Sequence, residues 1–200
     1  MWIWPEIDRL YLGRFDYQVP GSLKAAIEGM SFDETAMYFK DHFPRITDSV
    51  KEMQQCWHDL SFAFYSEKVT LKPGAKELLQ QARQQHYRIG IATSNSGKLT
   101  NAALRHLDIT DLFDAVVTAD EVSTGKPAPD IYLATAAQLH VRPENCIVFE
   151  DVPKGIQAAK RAGMYAVAVR DAQSDDVWEE KVRLSDEAVS GFGEWTLPLL

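Results

Sequence analysis

Apolar side chains recur three and four residues apart over the first third of the chain. Over the rest they fall in short runs separated by helical stretches, and the change comes near Val69. In residues 5–17, Ile7, Leu10, Tyr11 and Phe15 line one stripe, because positions three or four apart share a helical face. Ser31 followed by Glu34 is a capping box: the hydroxyl accepts from a free backbone N–H while the carboxylate reaches back. It opens a helix over 32–43 with Ala36, Phe39 and Phe43 inward, and Pro44 stops that helix. A longer helix is predicted over about 48–66, with Val50, Met53, Trp57, Leu60 and Phe64 inward. Residues 1–68 therefore read as a small helical domain.

Past Val69 the elements alternate. Pro73 and Gly74 open a helix running to His86; strands are predicted over 88–93, 115–118, 146–149 and 165–169, and helices over 98–107, 129–140 and 154–162, the last closed by Gly163. Short apolar strands separated by helices of about ten residues mark βαβ units, so residues 69–200 are expected to form an α/β domain on a parallel sheet. The acidic tail after Asp171 reads only as a weak helix and a loop.

Composition adds exclusions. Hydrophobic residues are 46% and charged residues 25% of the 200, which is globular and not disordered. The formal charge of −8, from 21 basic and 29 acidic residues, argues against a general nucleic-acid binder or a polybasic membrane-surface protein. No apolar run approaches the roughly 20 residues of a membrane span, and the start lacks the basic and apolar regions of a secretory signal. Cys56 and Cys146 are expected to be buried thiols in a reducing compartment, with the cytoplasm as the expected location.

In open parallel sheets, ligands collect beyond the carboxyl ends of the strands. The first predicted strand exits into Thr93-Ser94-Asn95-Ser96-Gly97, the second into Thr118-Ala119-Asp120-Glu121 and then Gly125-Lys126-Pro127, the third into Glu150-Asp151. Hydroxyls and amides at a helix start suit an anion, a lysine suits a phosphate, and adjacent carboxylates suit a hard divalent cation. Each has a structural alternative as well: an N-cap, a solvated loop lysine, a helix-dipole partner. Asp120 and Glu121 read as surface residues. Their meeting at successive strand ends is what favours phosphate chemistry. Two phosphate motifs are absent: Leu99 stands where a P-loop needs Ser or Thr, and no G-x-G-x-x-G occurs.

Residues 89–169 resemble the haloacid dehalogenase superfamily of aspartate-nucleophile phosphatases. "IGIATSN" is similar to its second motif, "VSTGKPAPDIY" to its third and "CIVFEDVPKGIQAAKRAGM" to its fourth. Lys126 lies 33 residues after Thr93 and Asp151 lies 25 after Lys126, which also fits. The first third, with "IEGMSFDETAMYF", resembles the small cap of the β-phosphoglucomutase-like subgroup. The resemblance implies an α/β Rossmannoid core with a helical cap and a phosphomonoester hydrolase using Mg²⁺. Thr93, Ser94, Asn95 and Lys126 would be its phosphate ligands, Lys126 also being catalytic, and Glu150 and Asp151 its metal carboxylates. The implied substrate is a small phosphorylated metabolite of the sugar-phosphate type.

The family's first motif, D-x-D-x-T/V, supplies the nucleophile, the general acid-base and one metal ligand from the end of a central first strand. No two aspartates of this chain are separated by a single residue. The chain therefore resembles a member shortened by about 20 residues, the length of a strand and its loop, and is expected to be inactive, with a weak magnesium site and a slot in its sheet. Pairing of Trp2-Ile3-Trp4 in that slot is disfavoured by Pro5 and the helix that follows. A non-catalytic remnant with a residual phosphate pocket is the alternative. The mutase alternative is weakened because Phe32 follows Gly29-Met30-Ser31, where the mutases carry an Arg.

Overall fold

The computed structural model describes residues 2–27 and 30–198. The chain divides into two compact units, residues 1–68 and 69–200. In the first, α1 (Ile3–Gly13), α2 (Leu23–Ile27), α3 (Phe32–His42) and α4 (Val50–Glu67) follow in order. Helix α1 starts ahead of Pro5 and not at it, which costs no hydrogen bond because first-turn N–H groups have no helical partner. Ile3, Trp4 and Pro5 are thus helical, with Trp2 at the cap. Capping boxes Ser31/Glu34 and Ser49/Glu52 open α3 and α4; the second, unread in the sequence, sets the start of α4 at Val50.

Tyr11, Phe39 and Trp57 form the centre of this unit. Trp57 stands edge-on to Tyr11 at 5.6 Å and to Phe39 at 5.3 Å, a favoured arrangement of ring quadrupoles. Leu12, not Leu10, is the fully buried leucine of α1, and Ser61 and Tyr65 are buried on α4 where Leu60 is only half-buried. Phe32 packs its ring on Trp57 at 5.7 Å and on Trp4, so its role within this unit is to fill the aromatic core. Gly29 lies outside the described residues.

The second unit runs α5 (Ala75–Gln84), β1 (Gly90–Ala92), α6 (Gly97–His106), β2 (Ala115–Val117), α7 (Asp130–Leu139), β3 (Ile147–Glu150), α8 (Pro153–Arg161), β4 (Tyr165–Val169), α9 (Trp178–Leu184) and β5 (Glu187–Val189). All strand pairs are parallel, but they make two sheets: β1 with β2, and β3-β4-β5. Among the described residues, β1 and β3 each have a strand partner on one side only.

Burial follows the pairing. In β4, flanked on both sides, the last four residues are buried, whereas Ile147, Val148 and Phe149 of β3 are only half-buried. The period of two in β4 sends Ala166 and Ala168 into a cluster with Ile131, Tyr132, Ile156 and Ala159 of α7 and α8. Val167 and Val169 go to the opposite face with Phe149, Phe192 and Trp195. Strand β5 lies in the tail, where the residue pattern predicts only a weak helix and a loop. It is three residues long with one buried side chain, and its pairing to β4 (Val169 opposite Val189) decides it. Cys56 and Cys146 are free thiols, half-buried and not fully buried as expected. No described helix is long and apolar enough to cross a membrane.

Candidate active site

Lys126 joins the ends of the two sheets. Its ammonium donates to the carbonyl of Ala92, the last residue of β1, at 3.3 Å and forms an ion pair with Glu150, the last residue of β3. Thr93 follows directly after Ala92 and Asp151 after Glu150, so one side chain gathers the exits of β1 and β3. The Lys126 and Glu150 side chains are only 11% and 9% exposed. Charges this deep are tolerated when paired and further hydrogen-bonded, and these are. The Tyr132 hydroxyl also donates to Glu150 Oε1, the Tyr132 ring lies 4.8 Å under the ammonium, and Glu150 Oε2 accepts the Asp151 N–H at 3.2 Å.

Burial, and then the Glu150 charge, push the Tyr132 hydroxyl far above its ordinary range, so it remains a neutral donor. Tyr132→Phe removes one hydrogen bond to a buried carboxylate. A loss of about 1.5–3 kcal/mol is expected, read from urea unfolding midpoints; an unchanged midpoint would show that the hydroxyl contributes nothing there. Tyr132 stands in the third-motif stretch with no role read from it; only burial beside Glu150 reveals one. Gly155, in the first turn of α8, is the second residue sequence reasoning missed. A Cβ built there overlaps the Glu150 carboxylate, so the absence of a side chain lets α8 pack onto Glu150.

The loop after β1 is internally bonded. Thr93 Oγ1 accepts from the Asn95 N–H at 3.1 Å, so that amide, expected to face an anion, is engaged by the threonine hydroxyl. Thr93 retains its own O–H to donate. Ser94 is exposed. Asn95 also accepts the Ala119 N–H at 3.2 Å, which ties the loops after β1 and β2. Asp120 is exposed, as read, yet its carboxylate accepts the Gly97 N–H at the start of α6 at 2.8 Å. Glu121 caps Thr118. Both hold loops in place.

Asp151 belongs to a second charged cluster. Lys72 pairs with Asp151 at 3.4 Å and, more closely, with Asp171. The fully buried Lys181 donates to the Asp151 carbonyl at 3.2 Å and to Ser174 Oγ at 3.0 Å, and Ser174 in turn donates to that carbonyl at 2.8 Å. Burial pushes the Lys181 ammonium down, against the opposing pull of Asp151 and Asp171. Burial alone would raise the Asp171 carboxyl, but hydrogen bonds from Lys72 and the Gln173 amide outweigh it and hold the group at about 2. The unfolded value is about 3.9. A depressed folded pKa stabilises fully above the unfolded value and is lost as pH falls through the folded one. Melting temperature should therefore fall more steeply from pH 4 to 2 in the parent chain than in Asp171→Asn; equal slopes would contradict the pairing.

Glu150 and Asp151 are hard oxygen donors side by side, the donor type magnesium takes, and magnesium completes its shell with water and substrate phosphate. Among the described residues, no group of three or more His, Cys, Asp or Glu side chains is arranged to hold a metal.

Three comparisons bear on this geometry. The family model of the haloacid dehalogenase-like hydrolases matches residues 15–169. The chain belongs to that family. Within it, this haloacid dehalogenase-like chain is 36% identical over 119 residues to the phosphorylated carbohydrates phosphatase of Thermotoga maritima, covering 60% of this chain and 55% of the relative. It is 44% identical over 105 residues to the β-phosphoglucomutase of Bacillus subtilis, covering 52% and 45%. A T. maritima crystal structure classed with the β-phosphoglucomutases superposes with a TM-score of 0.79 at 28% identity, covering 93% of this chain and 86% of that one. The chain spans about half the length of the curated relatives it matches. It falls in the β-phosphoglucomutase-like subgroup of that family and has the superfamily's α/β fold.

Proposed function

We propose that this chain carries the phosphate-binding and metal-binding half of a magnesium-dependent phosphomonoesterase acting on a small phosphorylated metabolite of the sugar-phosphate type. The observation that carries the reading is Lys126 spanning Ala92 and Glu150, which sets a cation between the strand ends that Thr93 and Asp151 directly follow. An ammonium has three N–H donors; two are committed, and the third would meet a phosphate oxygen. The Thr93 O–H would donate to a second oxygen, and the loop from Ser94 would complete the cradle. Glu150 and Asp151 would hold Mg²⁺, which supplies neutralisation of charge on the transferring phosphoryl group. Tyr132 and Gly155 would act as positioning residues, fixing Glu150. Residues 1–68 would be the small helical cap domain of such an enzyme.

The phosphorylated carbohydrates phosphatase among the relatives supports the substrate class. Phe32, committed to its aromatic core, favours hydrolysis over a mutase, which would grip a second phosphate. Binding of inorganic phosphate measured by calorimetry tests the cradle. Lys126→Met and Thr93→Val should each weaken it about tenfold or more, the scale of a charge-assisted hydrogen bond. Equal affinity in parent and variants would overturn the assignment.

A further inference from the structure

We propose that Lys72 is a built-in competitor for the divalent cation: its ammonium occupies Asp151 and Asp171, and a metal binds this chain only by displacing it. The proposal rests on the reading of Asp151 as a magnesium ligand and goes beyond it by naming what controls that ligand.

Charged groups of both signs meet around Lys72. Lys72 and Lys181 are the cations; Asp151 and Asp171 are the anions. The two lysines differ in kind. Lys181 is fully buried and bonded to the Asp151 carbonyl and to Ser174, which makes it part of the packing. Lys72 instead reaches the two carboxylates from the loop ahead of α5, with 35% of its side chain exposed. A flexible four-carbon stem with one end in water can swing away at little cost in solvation. Its departure would leave the Asp151 carboxylate for a divalent cation to take up, while Asp171 keeps the hydrogen bond from the Gln173 N–H. While it stays, an incoming Mg²⁺ meets a positive charge 3.4 Å from the Asp151 oxygen it needs. Like charges at such a distance repel, and the repulsion is strongest where water is partly excluded. Glu150 does not relieve this, because its Oε1 is committed to Lys126 and Tyr132.

The test is titration of the full chain with Mg²⁺ by calorimetry, using no substrate. Lys72→Met should bind Mg²⁺ about fivefold or more tightly than the parent, the size of one partly exposed ion pair given up. Lys72→Arg, which keeps the charge, should bind no more tightly than the parent. Asp151→Asn in the Lys72→Met background should abolish the gain. If Lys72→Met binds like the parent while Asp151→Asn weakens both, Asp151 stands as a ligand and competition by Lys72 is overturned. If Asp151→Asn changes nothing, the ligand reading fails and the proposal falls with it. Should Lys72→Met not fold, the parent chain gives a second readout. Saturating Mg²⁺ should speed modification of Lys72 by an amine reagent, followed by mass spectrometry. An unchanged rate overturns the proposal.

Discussion

Assayed with Mg²⁺ and p-nitrophenyl phosphate, the 200-residue chain is expected to give no turnover above the protein-free rate. The same chain carrying an upstream strand and D-x-D-x-T segment from a relative is expected to turn over. Phosphoryl transfer in this family needs a carboxylate to attack phosphorus, and binding groups alone do not replace a nucleophile. Lys126, Thr93 and a bound cation could stabilise charge on a phosphoryl group, yet each needs a partner that forms the new bond. Loss of an essential nucleophile typically costs about a million-fold in rate, enough to bring turnover down to background. The two-sheet arrangement supports the same experiment, since β1 and β3 each present an unpaired edge among the described residues. Hydrolysis by the 200-residue chain that vanishes in Lys126→Ala would sink the expectation. Activity in neither protein, with both well folded, would favour the phosphate-pocket reading.

The second large effect is expected from Gly155→Ala. In most helices, replacing glycine by alanine stabilises by up to about 1 kcal/mol through backbone entropy and helix propensity. Here the sign should reverse. The added methyl would overlap the Glu150 carboxylate, whose neighbours are fixed: Lys126 and Tyr132 on one oxygen, the Asp151 N–H on the other. Either α8 lifts off β3 or Glu150 turns and leaves Lys126 buried without its partner. Overpacking costs about 1–3 kcal/mol and breaking a buried pair about 3–5 kcal/mol, so a loss of about 3 kcal/mol is expected, or roughly 10 °C in melting temperature. Gly97→Ala is the control, because its Cβ would meet Asp120 at an ordinary 3.6 Å. It should be neutral or mildly stabilising. Equal melting temperatures for the two variants would remove Gly155 from any role in placing Glu150.

Much of the molecule could be read from residue patterns because its signals are local. A capping box needs four residues, which is why the start of α3 at Phe32 follows from Ser31 and Glu34. Strand β4 follows from five consecutive apolar residues and matches the expected 165–169 without shift. Gly163 adopts a φ of +76° just past α8, the left-handed value that glycine takes at helix ends. The candidate site residues were legible for a similar reason, since Thr93, Glu150 and Asp151 sit at or just beyond the end of a strand that the apolar runs define and Lys126 lies in the loop that follows β2.

What the chain folds into beyond that depends on contacts between residues far apart, and local pattern does not carry them. Strand β5 has little apolar character of its own and exists through its ladder to β4. Helix α4 carries a stripe that includes Ser61, which is buried while Leu60 is not, because neighbouring helices decide which face closes. The same holds at the site. Sequence supplied the reactive side chains, but their order of charge pairing was decided by tertiary structure: Lys126 on Glu150, and Lys72, 79 residues before Asp151, on Asp151 and Asp171. Residue type and spacing thus determine the elements and the chemistry each can offer. Only the packed fold sets which charges meet, because the strength of an ion pair depends on distance and burial, and neither exists until distant segments are brought together.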